Sequence, residues 1–173
     1  MCAFPLHAWT ILLAFRDLSW VAERTNMWDA IGVLSYGLIF AFVESLIIFV
    51  VAVLLGFLVS RHWAQDRRVV LVGTLVLVTA LWSMFSQYYF LGELSLPENV
   101  NRFIVLSGHP VRLIYAFFLP LVGLSAFIPT LLILQSDKGY GFFQGLVDRL
   151  TLLTWFYLFF DLVALVIVLI RNV

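Results

Sequence analysis

The sequence contains little charge. Asp, Glu, Lys and Arg make up 12% of its 173 residues, and the formal net charge is zero. Soluble domains carry roughly twice that share, about 25%, whereas 64% of this chain is hydrophobic. The basic residues are scattered, so the sequence offers no basic surface to a nucleic acid. These features predict a membrane protein without a nucleic-acid partner.

The sequence is equally poor in residues that bind metals and cofactors. Cys2 is its only cysteine, which excludes an internal disulfide and a Cys/His metal site. The histidines, His7, His62 and His109, lie at or beyond the ends of the predicted spans, whereas a haem in a bundle needs histidines inside them. No Walker, GxGxxG, HExxH or GxSxG motif is present. We therefore expect no metal, no cofactor and no catalytic residue, and the sequence supports no enzymatic activity.

Long apolar runs are what the sequence does contain. A helix needs about 20 apolar residues to cross a bilayer, and four runs reach that length. We predict an all-α membrane protein with four transmembrane helices in an up-down bundle plus one or two interfacial helices, all in a single integral membrane domain. The predicted spans are residues 30–60, 69–92, 111–135 and 148–170. Two prolines inside the third span predict that it is kinked.

The segment before the first span is shorter. About fifteen uncharged residues precede the first charge, which is too few for a crossing, and its polar and small residues recur at three-and-four spacing: His7, Thr10, Ala14 and Asp17. This pattern predicts a helix over residues 5–24 that lies in the membrane interface. A re-entrant segment or a fifth crossing is the alternative.

Two connections carry local signals. Ser95 and Glu98 have the spacing of a capping box, which predicts a short interfacial helix over residues 97–107. Residues 136–139 are predicted to form a turn, and residues 140–143 an aromatic segment at the interface before the fourth span.

Two acidic residues, Glu44 and Asp161, fall near the middle of the first and fourth predicted spans. An acidic side chain there costs roughly 2.5–3.5 kcal/mol on insertion scales, so we expect both to face the bundle interior. The two residues are expected at similar depth. If their helices touch, the carboxyl groups could share a proton.

Further polar residues form stripes beside these acids. Thr154 and Tyr157 share a helix face with Asp161, and Ser83 and Ser86 share one on the second span, with Gln87 beside them. The stripes could form a proton or ion path; the candidates are Glu44, Asp161, Tyr157, Thr154, Ser83, Ser86 and Gln87. The alternative is that these hydroxyls bond within or between helices and serve packing.

A polar cluster at one membrane surface includes Arg102, His109 and Arg112. Guanidinium groups match phosphate geometry, so these residues are candidates for binding lipid headgroups. The alternative is that they anchor helix ends by extending to the interface.

The role predicted from the sequence is that of a structural or accessory membrane subunit with a membrane partner or a second copy of itself. A proton-coupled or ion carrier and a lipid-binding or lipid-processing protein are the alternatives. Basic residues number five on each side, so orientation rests on the short basic loop at residues 61–68, which we place in the cytoplasm, with the cell membrane as the location.

Overall fold

A computed structural model describes residues 1–58, 63–92 and 96–173, with Phe90 described for its backbone only. This part of the chain forms six helices: α1 (Ala3–Arg24), α2 (Met27–Leu58), α3 (Gln65–Phe90), α4 (Glu98–Leu106), α5 (Pro110–Gln135) and α6 (Asp137–Asn172). It contains no strand, so the prediction of an all-α fold is confirmed.

The four predicted spans correspond to α2, α3, α5 and α6, which are long and apolar enough to cross a membrane. Asn26 caps the start of α2, because its side-chain oxygen accepts a hydrogen bond of 2.9 Å from the backbone N–H of Asp29. The two prolines of the third predicted span, Pro120 and Pro129, lie inside α5. Residues 59–60, the predicted end of the first span, lie outside the described residues.

Successive long helices run antiparallel, and two ion-paired contacts mark the two ends of the bundle. At one end, named the Arg171 end, Arg171 near the end of α6 donates to Asp29 near the start of α2 at 2.8 Å. At the other, named the Arg67 end, Arg67 at the start of α3 donates to Asp137 at the start of α6. Because α2 and α5 run away from the Arg171 end and α3 and α6 run toward it, the bundle is up-down.

The short helix α4 agrees with the predicted interfacial helix over residues 97–107, and its buried Ile104 lies on the side toward α5. Gly108 follows α4 with φ of 73°, a left-handed conformation that glycine adopts without strain, and it ends the helix. Pro110 then begins α5. Ser95, one half of the predicted capping box, lies outside the described residues.

The start of α6 differs from the prediction. Residues 136–139 are not a separate turn, and residues 140–143 are not a separate segment, because α6 begins at Asp137 and continues to Asn172. The side chain of Ser136 caps it by accepting from the N–H of Gly139 at 3.2 Å. A methyl group at Gly139 would lie 2.6 Å from the backbone oxygen of Leu132, so a glycine is what allows α5 and α6 to meet so closely.

The first helix also differs from the prediction. α1 does not lie across the ends of the other helices; it packs lengthwise against α2 and α6 and also touches α3. The amino group of Met1 contacts Thr154 at 3.2 Å, and His7 contacts Asp161, so the two helices run in parallel with a matched register.

Most large apolar side chains face outward. α5 has one buried residue, Ile133, and α6 exposes Trp155, Phe156 and Phe159. Soluble monomers rarely expose apolar patches larger than a few hundred Å², whereas a surface of this kind suits acyl chains. Together with the four long apolar helices, it defines a membrane-type bundle.

Candidate functional site

The most enclosed polar side chain in the described part of the chain is that of His7 on α1, which pairs with Asp161 on α6. His7 Nε2 lies 2.9 Å from Oδ1 and 3.1 Å from Oδ2 of Asp161. His7 is 0% exposed and Asp161 is 7% exposed. Buried polar groups are stable only when they are hydrogen-bonded, so each of these side chains supplies the hydrogen-bond partner that the other requires.

The hydrogen bonds of His7 show how many protons the His7–Asp161 pair holds. His7 Nδ1 lies 2.8 Å from the backbone oxygen of Ala3, which can only accept, so Nδ1 carries a hydrogen. Nε2 faces a carboxyl group that also needs a hydrogen between the two heavy atoms. A single proton therefore lies between Nε2 and the carboxyl of Asp161, in an imidazolium–carboxylate pair or in a neutral imidazole–carboxylic acid pair.

The other residues of the predicted polar stripe on α6 lie beside this pair. The ring of Tyr157 stacks on the imidazole of His7, with centroids 5.0 Å apart and planes 26° apart, and it also lies near the ring of Phe4. Thr154 accepts from the amino group of Met1. The stripe formed by Thr154, Tyr157 and Asp161 is therefore the face of α6 on which α1 packs.

Sequence reasoning missed His7 as the partner of Asp161. Its signal was the stripe of His7, Thr10 and Ala14, which we assigned to the membrane surface. In the structure His7 is buried, Thr10 and Ala14 are half-buried, and a methyl group at Gly37 of α2 would contact Thr10 at 3.2 Å. The stripe faces the bundle, and only its last member, Asp17, is exposed.

Glu44 does not join this site. The expectation that it faces the bundle interior is wrong, because its side chain is exposed on α2, between the exposed Val43 and the buried Ser45. Glu44 is 15 residues from Asp29 and Asp161 is 10 residues from Arg171, which places them about 22 Å and about 15 Å from the Arg171 end. Since the two acids differ in both depth and exposure, they do not share a proton.

The predicted stripe on α3 is separate as well. Thr79 and Ser83 donate to the backbone oxygens of Leu75 and Thr79, at 2.8 and 3.0 Å, as hydroxyls do when they satisfy their own helix. Ser83, Ser86 and Gln87 are exposed. The structure therefore does not bring the α2, α3 and α6 candidates together into one continuous line.

The headgroup candidates lie together in the chain on α4 and the start of α5. Arg102, His109 and Arg112 are all exposed. Because α5 begins at the Arg171 end of the bundle, these side chains share that end with the Asp29–Arg171 pair.

Two arginines, Arg171 and Arg67, connect the ends of neighbouring helices. Arg171 donates to the backbone oxygen of Trp28 at 2.6 Å as well as to Asp29, and its guanidinium covers Gly32. Arg67 donates to the backbone oxygen of Leu134 at 3.4 Å and lies 5.1 Å from the ring of Tyr140. Both arginines satisfy backbone oxygens and carboxylates at helix ends, where positive and negative groups complement the helix dipoles.

The fold defines the class as an all-α bundle with four candidate membrane-spanning helices and one shorter helix packed among them. No protein-family model matches the sequence, and no curated protein and no solved structure is significantly similar to it. Any function must therefore be argued from the geometry of this chain.

Proposed function

We propose that this chain is an accessory subunit of a membrane assembly and that the outward face of α2 around Glu44 binds a transmembrane helix of another protein. The observation that carries the proposal is an exposed carboxyl group about halfway along the most apolar of the four spans. In lipid such a group costs roughly 2.5–3.5 kcal/mol, and a partner that hydrogen-bonds to it removes most of that cost.

The surroundings of Glu44 fit a helix–helix contact. Phe40 and Ile47, one turn to either side, are 67% and 58% exposed, so the carboxyl sits inside an apolar strip of the kind that a second helix covers. Among the described residues, no side chain donates a hydrogen bond to it. Glu44 is therefore available to a partner.

Charge indicates which partner fits. The central turns of the four spans contain no Lys, Arg or His, so a second copy of this chain has no cation to offer Glu44. A different transmembrane helix with a basic side chain at the same depth would form a charge-assisted hydrogen bond with the carboxylate. Glu44 is therefore better matched by a different protein than by a second copy of this chain.

Site-specific photocrosslinking in native membranes tests the proposal. A crosslinker at Ile47 should give one adduct with another membrane protein that has a basic residue within a span, and Glu44→Ala should abolish the adduct. The matched control is a crosslinker at Leu124, an exposed apolar residue of α5, which should capture lipid. Crosslinks at Ile47 to lipid alone, or between two copies of this chain, would contradict the proposal.

A proton-coupled carrier is the second candidate, and one observation favours it: the single proton held between His7 and Asp161 beside Tyr157. In proteoliposomes an imposed pH gradient should then drive a flux that Asp161→Asn removes and Glu44→Gln leaves unchanged. Absence of flux from the folded parent protein would end this candidate.

The location is part of the same proposal. We place the bundle in the cell membrane with the loop at residues 61–68 on the cytoplasmic side, on the strength of the basic residues in that loop; Arg61 and His62 lie outside the described residues. Single cysteines in a Cys2→Ser background, at Gln65 for this end and at Asn101 for the other, would be labelled from opposite sides of sealed cells. Labelling of Asn101 from the cytoplasm would reverse the orientation.

A further inference from the structure

A cavity of about 590 Å³ opens between α1, α2 and α3, on the side of α1 away from the His7–Asp161 pair. Leu55 and Leu58 line its end nearer the Arg67 end of the bundle, and Trp9 and Gln87 line its opposite end. The proposed partner-binding role of Glu44 does not involve this cavity, because Glu44 is not among the residues that line it.

The cavity is long and half open along its side. Its lining extends along α3 from Val72 to Gln87, a distance of about 22 Å at the rise of an α-helix. An extended cavity of this length and volume, with a mostly apolar lining, suits a single unbranched hydrocarbon chain.

The position of the cavity indicates where such a chain comes from. α2 and α3 are both candidate spans, so the cavity lies at the depth of the acyl chains. One leaflet of hydrocarbon is about 15 Å thick, and a cavity about 22 Å long accommodates an acyl chain over its full length. Along most of that length the lining is apolar, with Val76, Ala80 and Met84 from α3.

The polar end of the cavity indicates the chemistry of the group attached to the chain. The indole of Trp9 donates to Gln87 Oε1, and since an indole N–H can only donate, the amide of Gln87 is oriented with its NH2 group directed away from Trp9. That NH2 group retains N–H donors for an acceptor. The lining contains no charged residue, so a neutral acceptor, such as an ester carbonyl, fits better than a phosphate or a carboxylate.

We propose that this cavity binds one acyl chain of a glycerophospholipid, with the ester carbonyl of that chain accepting a hydrogen bond from the side-chain amide of Gln87. Gln87 lies three residues before the end of α3 at Phe90, at the end of the cavity where the indole of Trp9 orients its amide. The rest of the chain extends past Ser83 and Thr79 toward Leu58.

Native mass spectrometry of the purified full-length chain tests the proposal with two probes, a diacyl phosphatidylcholine and its ether-linked analogue, which lacks the carbonyl. The parent protein should bind one diacyl molecule more tightly than the ether analogue by about three- to tenfold, the range for one hydrogen bond. Gln87→Leu should remove this preference, and Ser86→Leu, at an exposed neighbouring residue, should keep it. Equal binding of both lipids by the parent would overturn the role of Gln87.

A second variant tests the cavity itself. Ala80→Phe places a ring inside the lining and should lower the occupancy of the bound lipid about tenfold or more, since an overfilled site excludes the chain. Ala116→Phe makes the same change at an exposed residue of α5 and should leave the occupancy unchanged. Equal occupancy in both variants, or a free fatty acid bound more tightly than the phospholipid, would contradict the proposal.

Discussion

Asp161 and Glu44, the two acidic residues deep in the spans, differ in both exposure and depth: Asp161 is buried against His7, whereas Glu44 is exposed on α2. Along the helix axes they are separated by about 7 Å in depth. An acid inside a membrane protein needs a partner, and Asp161 has its partner within the chain. Glu44 has none among the described residues, which is why we look for one in another protein.

The first prediction concerns the partner of Asp161. His7→Ala leaves the carboxyl group of Asp161 buried without its donor, and it should lower the free energy of unfolding by about 3 kcal/mol. His7→Ala combined with Asp161→Ala should be less harmful than His7→Ala alone, because the double variant leaves no unpaired polar group. Reversible unfolding in mixed micelles measures both.

The control for this prediction is the other acid. Glu44→Gln changes an exposed carboxyl group that accepts no hydrogen bond from a described side chain, so the unfolding free energy of the isolated protein should change by less than about 0.5 kcal/mol. A loss as large as that of His7→Ala would mean that Glu44 is buried in the folded protein and that the assignment of an outward face is wrong.

The fold class could be predicted from the sequence, but the position of α1 could not. Four apolar runs longer than the membrane thickness predict four spans whatever their neighbours are. The stripe of His7, Thr10 and Ala14 is ambiguous, since polar residues on one helix face are satisfied equally by water at a surface or by polar groups inside a bundle. Whether this face meets water or the bundle depends on Asp161, which is 154 residues from His7 in the sequence.

The orientation of Glu44 could not be predicted for a related reason. The rule that membrane-embedded acids face inward assumes that the bundle is complete, whereas α2 exposes apolar residues over much of its length. The start of α6 was mispredicted because glycines and a serine–aspartate pair are typical of a turn, although Ser136 acts here as the cap of a continuous helix.

The second prediction concerns the close contact of α5 and α6. Gly139→Ala places a methyl group 2.6 Å from the backbone oxygen of Leu132. A backbone atom cannot move aside cheaply, so the variant should be destabilised by about 1–3 kcal/mol, as in other overpacked sites. Gly141→Ala is the matched control, because nothing lies within 4 Å of the added methyl. Thermal unfolding in detergent should rank Gly139→Ala well below Gly141→Ala; the reverse order would show that α5 and α6 do not meet at Gly139.

The third prediction concerns the Arg171 end. A methyl group at Gly32 would lie 2.5 Å from the guanidinium carbon of Arg171. The arginine side chain is flexible, so Gly32→Ala should displace it from Trp28 and Asp29 and cost about 1 kcal/mol, the value of the hydrogen bonds lost. In a protein that already carries Arg171→Ala, Gly32→Ala should cause little further loss of stability, because the two changes act on one contact. Additive losses in the double variant would contradict this contact.

The fourth prediction concerns the link between α3 and α5. The indole of Trp82 donates to the hydroxyl of Ser125 at 2.7 Å. Ser125→Ala leaves the indole N–H without this acceptor and should cost about 1 kcal/mol. Thr130→Ala removes a hydroxyl that bonds only to the preceding turn, at Ala126, and should have a smaller effect on the thermal midpoint. Equal effects would indicate that the Trp82–Ser125 bond contributes no more than a bond within one helix.

The most direct test uses the single cysteine of the chain. Cys2 is half-buried beside the start of α1, and the His7–Asp161 pair keeps α1 inside the bundle. The rate at which a maleimide labels Cys2 in detergent should rise about tenfold or more when Asp161→Ala breaks the pair, since a loss of 1.4 kcal/mol shifts such an equilibrium tenfold. Glu44→Gln should leave the rate unchanged. Equal, slow labelling of the parent and Asp161→Ala would contradict the account.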